Sequence, residues 1–253
     1  KMPRPQQVVR AVVLESGSTL KISTEEESFS IKMNLKVNMQ EKYGRMYRNE
    51  GQIVDVAYNR VSMGLSRSDR KPIPRSAVFQ RVVNSLGKVR GRYLHGANGK
   101  LKHVKPDLRA VPRDLQDAVE AMQEQLQHSM SCMTVPLPNK TVKVGESWQA
   151  RQSIPIDTPG SYSLGTIEMN YRYLGWRKSG TRHQAVVALN GRVTNARGLS
   201  VFGGHAGGTA VVDILTGQVV RANINVTVDT KAQLFGGPEV NLITILDVKL
   251  SRN

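Results

Sequence analysis

The stretch IKMNLKVNM, residues 31–39, decides the fold class of this chain. Apolar residues occupy its odd-numbered positions, and lysine or asparagine occupies the even-numbered ones. A helix would scatter these apolar side chains around its axis, whereas a strand places them all on one face. One buried face and one solvated face are typical of an antiparallel sheet. The stretch therefore predicts a long, half-buried β-strand.

The same alternation recurs in the second half of the chain. It marks residues 167–173 and 220–228, and residues 240–250 are predicted to form a last long strand. Turn-forming pairs such as Asn98-Gly99, which accepts the positive φ values of a tight hairpin, separate many of these strands. Five strands in the first half, joined by short turns, predict a meander, and ten or so strands overall predict a β-dominated fold.

Short runs and glycines suggest further local features. Residues 77–83 are mostly apolar and are predicted as a strand. Gly17-Ser18 is predicted as a turn. Residues 203–208, GGHAGG, are predicted as a flexible loop, because glycine is a strong breaker of regular structure.

One amphipathic helix separates the two runs of strands. Pro112 suits the first turn of a helix, and acidic residues follow it near the positive end of the helix dipole. Glutamines occupy one side, and the apolar stripe on the other predicts a helix over about 112–133: Leu115, Val119, Met122, Leu126 and Met130. The fold is thus predicted to be mainly β (β-rich α+β): a curved antiparallel sheet or open half-barrel, with this helix packed on its concave side.

The stretch PLPNKTVKVGESW, residues 136–148 and called the joint below, connects the helix to the second run of strands. Its prolines are expected to end the helix, its glycine to allow a backbone turn, and its tryptophan to be a buried anchor. Residues 142–144 alternate in polarity and are predicted to begin the second run of strands. The structural residues of the joint are Pro136, Pro138, Gly145 and Trp148.

The chain is predicted to consist of a basic arm and one domain. Residues 1–10 are polar and carry two prolines, which is typical of an arm that is ordered only when it docks. Residues 11–253 are predicted to form a single β-rich domain, with strands over 11–111 and 149–253 on either side of the helix and the joint. The arm and the C-terminal strand could each add to a neighbour's sheet edge, which would produce a homo-oligomer.

Composition limits the class of protein. The single cysteine, Cys132, excludes an intramolecular disulfide and any zinc site built from several cysteines. No stretch approaches the roughly 20 apolar residues that a membrane-spanning helix needs. The sequence begins Lys1-Met2 without an apolar signal core, which fits either a processed exported chain or a part of a longer one.

Basic residues are concentrated in the first half of the chain. The net charge is +16, and residues 67–113 contain thirteen Lys or Arg and two acids. Such a block favours an anionic partner, namely a lipid surface, an acidic polysaccharide, an acidic protein or nucleic acid, unless it is simply a solvated face. Nucleic acid is not favoured, because only Phe79 and Tyr93 in this block could stack on bases. The candidate anion-binding residues are Arg67, Arg70, Lys71, Arg75, Lys88, Arg90 and Arg92.

Catalytic and metal-binding patterns are few. The histidines form no HxH or HExxH spacing, and His95 and His103 lack an acidic third ligand. His128 and Cys132 are four residues apart on the helix, where a buried inert thiol is the commoner case. The FGGHAGG stretch lacks the lysine and the helix N-terminus of a phosphate cradle. No catalytic residue, metal or cofactor is therefore assigned, and the chain is predicted not to be an enzyme.

The order of these features resembles an uncharacterised family of exported bacterial proteins and lipoproteins, known mainly as a domain of unknown function. The resemblance is carried by YLHGANGKL at 93–101, by PLPNKTVKVGESW at 136–148 and by VVDILTGQVV at 211–220, and GESW is the most specific of these motifs. The resemblance implies a β-rich fold and export to the periplasm, outer envelope or cell surface. It carries over no catalytic residues.

Three functional hypotheses remain. The leading one is a non-catalytic, exported envelope or cell-surface protein that binds an anionic or amphipathic partner or forms a surface assembly. The first alternative is a carrier of a hydrophobic ligand in the hollow of the half-barrel, where methionines would form an adaptable lining. The second alternative is a nucleic-acid-binding protein that uses the 67–113 block.

Overall fold

One antiparallel sheet of eleven strands forms most of the molecule. The computed structural model describes residues 8–23, 27–47, 51–69, 77–96, 98–158, 161–196, 200–233 and 239–253. The prediction of a mainly β fold with a curved antiparallel sheet is confirmed, and the sheet does not close into a barrel. The deciding stretch at 31–39 lies within a single strand of 20 residues.

Two meanders compose the sheet and meet at the first and last strands. The first meander contains β1 (Val9–Ser23), β2 (Ser28–Tyr47), β3 (Gly51–Arg67), β4 (Arg90–Gly96) and β5 (Leu101–Asp107). The second contains β6 (Ser147–Thr158), β7 (Ser161–Ser179), β8 (Arg182–Ala196), β9 (Ser200–Asp213), β10 (Val219–Gln233) and β11 (Glu239–Arg252). Because β1 pairs with β11, β5 and β6 become the two edges of one sheet.

Residues 77–83 belong to a helix, α1 (Ala77–Leu86), and not to the predicted strand. Val82, Val83 and Leu86 are buried, whereas Arg81 and Asn84 are exposed. A spacing of three to four is helical, and a short apolar run fits strand and helix alike until its polar neighbours are considered. The strand prediction was wrong for that reason.

The second helix, α2 (Gln116–Cys132), follows a 3-10 turn at Arg113–Leu115 and lies close to the predicted bounds. Its apolar residues share one core cluster with residues of both meanders. The glutamine side is also covered, because Gln123 is fully buried and Gln127 nearly so. The curved sheet therefore encloses more of the helix than one stripe. We call the face of the sheet that packs around α2 the inner face, and the opposite one the outer face.

Glycine-rich segments are parts of strands and not the predicted turn and loop. Gly17 lies inside β1, and residues 203–208 lie inside β9. On the inner face, a Cβ added to Gly208 would lie only 2.1 Å from the carbonyl oxygen of Asn223. Glycine is needed there because a neighbouring backbone approaches closely, and not because the chain is flexible.

The N-terminal strand starts earlier than predicted. β1 begins at Val9, so the end of the predicted arm belongs to the sheet, while residues 1–7 lie outside the described residues. β1 and β11 pair from Val12–Arg252 to Ser23–Asn241. Neither helix of the described part has the length and apolar character needed to cross a membrane.

Candidate functional site: an apolar crevice beside the joint

The joint follows an irregular path from the end of α2 to β6. Residues 142–144 do not form the predicted strand, because β6 begins only at Ser147 and Val144 is 66 % exposed. Gly145 has a φ of 90°, and its N–H donates to the Tyr173 carbonyl oxygen of β7 at 2.7 Å. Alternation over three residues does not distinguish a strand from a coil that is held by such hydrogen bonds.

Trp148 is half-buried, and not fully buried as expected. Its indole stacks on the Tyr171 ring, with 5.5 Å between centroids and 16° between planes. Its Nε1 donates to the Pro136 carbonyl oxygen at 2.7 Å, which closes the joint on itself. An indole with an apolar body and a polar tip is suited to such a border position.

An apolar crevice of about 290 Å³ opens between the joint and the ends of β7, β8 and β9. We call it the joint crevice. Alternating inner-face residues of the strands form one wall, and joint residues form the other. Its main apolar lining residues are Leu137, Val142, Trp148, Tyr173, Val187 and Val212.

The turn after β9 fixes the end of this crevice. Asp213 is buried, and its carboxylate accepts hydrogen bonds from the N–H groups of Leu215 and Thr216 at 3.0 and 3.1 Å. Gly217 has a φ of 66°, and a Cβ there would lie 2.9 Å from Leu137 Cδ1. The buried carboxylate thus holds a turn, and the glycine lets the joint pack closely against that turn.

Exposed apolar side chains surround the mouth of the crevice. Trp176 is 60 % exposed, Ile214 51 % and Leu215 86 %. Trp176 packs against the His183 ring at 5.3 Å between centroids, and the Ile214 N–H donates to the His183 carbonyl oxygen at 3.0 Å. A bulge in β7 pairs Trp176 with Ala185, which lines the crevice. These residues therefore extend the apolar lining to the surface.

Basic residues outnumber acidic residues around this mouth. The joint, residues 172–184 and the turn at 213–217 together contain six Lys or Arg and two carboxylates. Both carboxylates accept backbone N–H groups of their own loops, since Glu146 binds the N–H of Lys143 at 3.0 Å. Lys140 lines the crevice itself. The opening is therefore apolar inside, with Lys140 in its wall, and the segments around it carry a net positive charge.

A buried ion pair lies near the same turn. Glu41 on β2 accepts two hydrogen bonds from Arg252 on β11, at 3.0 and 3.1 Å, and one from the Tyr43 hydroxyl at 2.5 Å. Arg10 is placed opposite Glu41 by the β1–β2 register, and its guanidinium lies 5.2 Å from the Tyr43 ring and donates to Gln218. We call Arg10, Glu41, Tyr43 and Arg252 the ion-pair cluster.

Burial and charge act in opposite directions on this cluster. Burial alone would raise the pKa of the Glu41 carboxyl, but the charge and hydrogen bonds of Arg252 and the tyrosine hydroxyls hold it below its ordinary value. Burial, followed by the Glu41 charge, raises the pKa of Tyr43. Burial lowers the pKa of the neighbouring His95 to about 4. At neutral pH the carboxyl is therefore charged, while the phenol and the imidazole are neutral.

The predicted anion-binding residues that the structure describes belong to three elements, namely β3, β4 and the turn after α1. The other three fall outside the described residues: Arg70, Lys71 and Arg75. Arg90 and Arg92 lie on the outer face of β4, where Arg92 contacts Asp55 at 2.6 Å. Arg67 is the last residue of β3, and Lys88 lies in the turn after α1.

Histidine and cysteine candidates lie around α2. Cys132 is buried, and burial raises the pKa of its thiol to about 12, so it is not a nucleophile at neutral pH. His103 Nε2 lies 2.7 Å from Ser131 Oγ, and burial, followed by the effect of His128, lowers the pKa of His103 to about 4. Across the described ranges, no three His, Cys, Asp or Glu side chains are grouped as metal ligands.

Sequence reasoning missed both the crevice and the ion-pair cluster. Ile214 and Leu215, two apolar residues immediately before a Thr-Gly turn, were a readable signal for exposed apolar surface. No local signal connects Glu41 with Arg252, which are 211 residues apart and meet only through the register of three strands.

Comparison with known proteins gives a likeness of fold. No family model matches this chain, and no curated protein matches it. Among solved structures, it is similar to lipovitellin in a structure concerned with lipid–protein interactions, with a TM-score of 0.55 and 11 % sequence identity. The likeness covers 99 % of this chain and 25 % of the lipovitellin chain, so this chain spans about a quarter of that protein's length. At this identity the likeness concerns the fold alone.

Proposed function

We propose that this chain is a non-catalytic, exported protein of the cell envelope that binds an anionic amphipathic lipid, with the apolar part of the lipid in the joint crevice. The observation that carries the proposal is that exposed Ile214 lines the crevice and that exposed Trp176 pairs with the crevice residue Ala185. Contiguous exposed apolar surface beside a concave apolar space is typical of a binding site for an apolar group.

Charge around the mouth favours an anionic headgroup. The surrounding segments contain six basic residues and only two carboxylates, and both carboxylates already accept hydrogen bonds from loop N–H groups. A Lys or Arg near an anionic lipid surface contributes about 1 kcal/mol of attraction. An apolar interior with a cationic border thus matches a molecule with an acyl chain and an acidic headgroup better than a neutral lipid.

The joint crevice fits this role better than the centre of the half-barrel, where the methionine-lined hollow was predicted. At that centre, Met39 and Met130 are buried in the core cluster around α2. The crevice, in contrast, opens to solvent and has Trp148 in its wall. The likeness of fold to lipovitellin, a protein studied for its lipid interactions, adds support for a lipid over another amphipath.

A titration with 11-(dansylamino)undecanoic acid tests the proposal. Trp148 and Trp176 would transfer excitation energy to a dansyl group bound in the crevice, and native mass spectrometry would detect lipid that co-purifies with the protein. The variant Ala185→Phe fills the crevice from the β8 wall and is expected to weaken binding about tenfold or more. Leu174→Ala is the matched control, because Leu174 is an exposed apolar residue of β7 that does not line the crevice.

Binding of the dansyl acid to folded Ala185→Phe with the affinity of the unmodified protein would refute this site. Absence of binding to the unmodified protein, together with absence of co-purifying lipid, would refute the lipid class altogether. The methyl ester of the same probe separates the contribution of the acyl chain from that of the carboxylate charge. It is expected to bind more weakly, because it lacks the charge that the basic border attracts.

A further inference from the structure

A row of small polar residues crosses the outer face of the sheet from β3 to β6. The strand register places one residue of each of nine strands in this row, each directly opposite the next. We call the row, from Gly64 on β3 to Gln149 on β6, the amide strip. Six of its members carry a carboxamide or carboxylate: Asn34, Asp247, Asn225, Asn190, Asn170 and Gln149.

Three glycines complete the amide strip, and packing does not require them. A Cβ added to Gly64 would meet no atom within 4 Å, and one added to Gly207 would have its nearest neighbour at 4.0 Å. At Gly17 the nearest atom would be at 3.5 Å, an ordinary contact, whereas inner-face Gly208 leaves only 2.1 Å. Glycine weakens a strand, and it often marks a place where another molecule approaches closely. The missing side chains keep the surface above the strip low.

A groove of about 780 Å³ lies over the part of the strip that crosses β3, β2, β1 and β11. Asn34 and Asp247 of the strip line it, together with charged residues of the adjacent row: Glu15, Lys36 and Lys249. Its depth at Gly17 and Gly64 is consistent with the missing side chains there. Leu35 and Met63 also line the groove, so its lining is mixed polar and apolar, whereas the joint crevice is mainly apolar.

Basic residues flank the strip on both sides. Two further outer-face rows run beside the strip, one on each side, at a distance of two residues along each strand. One row contains Lys36, Lys249 and Arg172, and the other contains Lys32, Arg192 and Arg151. The same two rows contain two carboxylates. Glu15 pairs with Lys36 at 2.7 Å, and Glu168 pairs with Arg151 at 2.7 Å. Cations thus outnumber anions beside an almost uncharged strip.

We propose that the amide strip binds an acidic polysaccharide that lies across the strands. Each carboxamide offers both donors and acceptors, which matches sugar hydroxyl groups, since these also donate and accept. The flanking cations would bind the carboxylate or sulfate groups of the polymer. Nine strands at a spacing of about 4.8 Å give the strip a length of roughly 38 Å, which suits a polymer and not a single sugar.

The composition of the strip favours a polysaccharide over nucleic acid. Single-stranded nucleic acid is usually bound on aromatic side chains that stack on the bases. The nine residues of the strip include no aromatic residue. Phosphate-rich polymers would be bound mainly by the flanking Lys and Arg, and the central row of amides and glycines would then contribute little to binding.

The proposal is tested with a variant that fills the strip with side chains and leaves the fold intact. Isothermal titration at low salt would compare polygalacturonate, neutral dextran and double-stranded DNA as ligands of the whole chain. The double variant Gly64→Val/Gly207→Val places β-branched side chains where the structure has space, so its melting temperature is expected not to fall. Its affinity for polygalacturonate is expected to decrease about tenfold or more.

Ala57→Val is the matched control. It adds bulk to the outer face of β3 seven residues from Gly64, roughly 23 Å along the strand. Its affinity for polygalacturonate is expected to stay within about twofold of the unmodified protein. The crevice variant Ala185→Phe should also leave this affinity unchanged, so the two proposed sites succeed or fail separately.

Three results would overturn the proposal. The unmodified protein would fail to bind polygalacturonate, the folded double variant would bind it as tightly as the unmodified protein, or dextran would bind as tightly as polygalacturonate. If the double variant instead lost its affinity for DNA while polygalacturonate did not bind, the strip would be a nucleic-acid site and our assignment would be wrong.

Discussion

On β2, the inner face carries Leu35, Val37 and Met39, all at most 7 % exposed, while Asn34 and Lys36 of the outer face lie in solvent. Alternation along a strand produces this difference. The glycines show a second difference between the two faces. Gly208 on the inner face is confined by neighbouring backbone, whereas Gly64 and Gly207 of the amide strip have free space above them. Packing thus determines the inner face, and it leaves the outer face open to requirements of binding.

The largest expected effect concerns charge on the two faces. Glu41→Gln would leave Arg252 buried without its counter-ion, so we expect a loss of about 3–5 kcal/mol in the free energy of unfolding. Urea denaturation followed by circular dichroism measures this loss. On the outer face, Glu15→Gln removes an ion pair that is shorter, 2.7 Å against 3.0 Å, but both partners are about half exposed, so we expect a change below about 1 kcal/mol.

The double variant Glu41→Gln/Arg252→Met provides the control for the buried pair. It removes the uncompensated charge and should recover part of the stability lost in Glu41→Gln. Equal losses for Glu41→Gln and Glu15→Gln would show that the two faces do not differ in their effective polarity, and the comparison between them would fail.

A second comparison uses the two tryptophans of the crevice. Trp148→Ala removes a half-buried indole, its stacking on Tyr171 and its hydrogen bond to Pro136, and we expect a loss of about 2–3 kcal/mol. Trp176 is 60 % exposed, so Trp176→Ala should change stability by less than about 0.5 kcal/mol. It should nevertheless weaken binding of the dansyl acid. A Trp176→Ala variant as unstable as Trp148→Ala would assign the exposed side chain to the core and not to a binding surface.

Local patterns in the sequence were sufficient for the faces of the sheet but not for its glycines. Nine alternating residues at 31–39 predicted β2 because one buried face repeats every second residue. The same rule gave no information on residues 203–208, since glycine has no side chain that reports a face. Only the structure shows that Gly208 lies against Asn223 and that Gly207, next to it, has open space.

The candidate sites were less predictable than the fold, because both depend on long-range pairing. The amide strip takes one residue from each of nine strands, and its members form no pattern along the chain. The pairing of β1 with β11 unites the meanders, and no turn or alternation signals it. The joint was recognised as a connection, but its crevice depends on a bulge in β7 and on the close contact of Gly217 with Leu137.

The glycines allow the comparison to be tested in a single pair of variants. Gly208→Ala forces a Cβ against the Asn223 carbonyl oxygen, so we expect a loss of about 1–2 kcal/mol. Gly64→Ala enters open space and reduces the entropy of the unfolded chain, so stability should rise by about 0.5 kcal/mol or stay unchanged. Thermal unfolding of both variants measures the difference. Similar losses in both would mean that the amide strip is packed as tightly as the core.

The last expected effect is a dependence of stability on pH that comes from two partly buried histidines of the inner face. The pKa values of His95 and His103 are lowered to about 4 by burial, against about 6.5 in the unfolded chain. The unfolded state therefore binds more protons between these values, and stability is complete above pH 6.5 and is lost as the pH falls toward 4. Between pH 7 and 5.5 we expect a loss of about 1 kcal/mol for each imidazole.

Urea denaturation at pH 7 and 5.5 tests this expectation on the unmodified protein and on a double histidine variant. His95→Gln/His103→Gln should reduce the dependence on pH relative to the unmodified protein. The ion-pair cluster does not interfere in this range, because the pKa of Glu41 is lowered from a value that already lies near 4.5, so its contribution is lost only at lower pH. An unchanged dependence on pH in the double variant would show that these two imidazoles are solvated, and that the inner face is open to water beside α2.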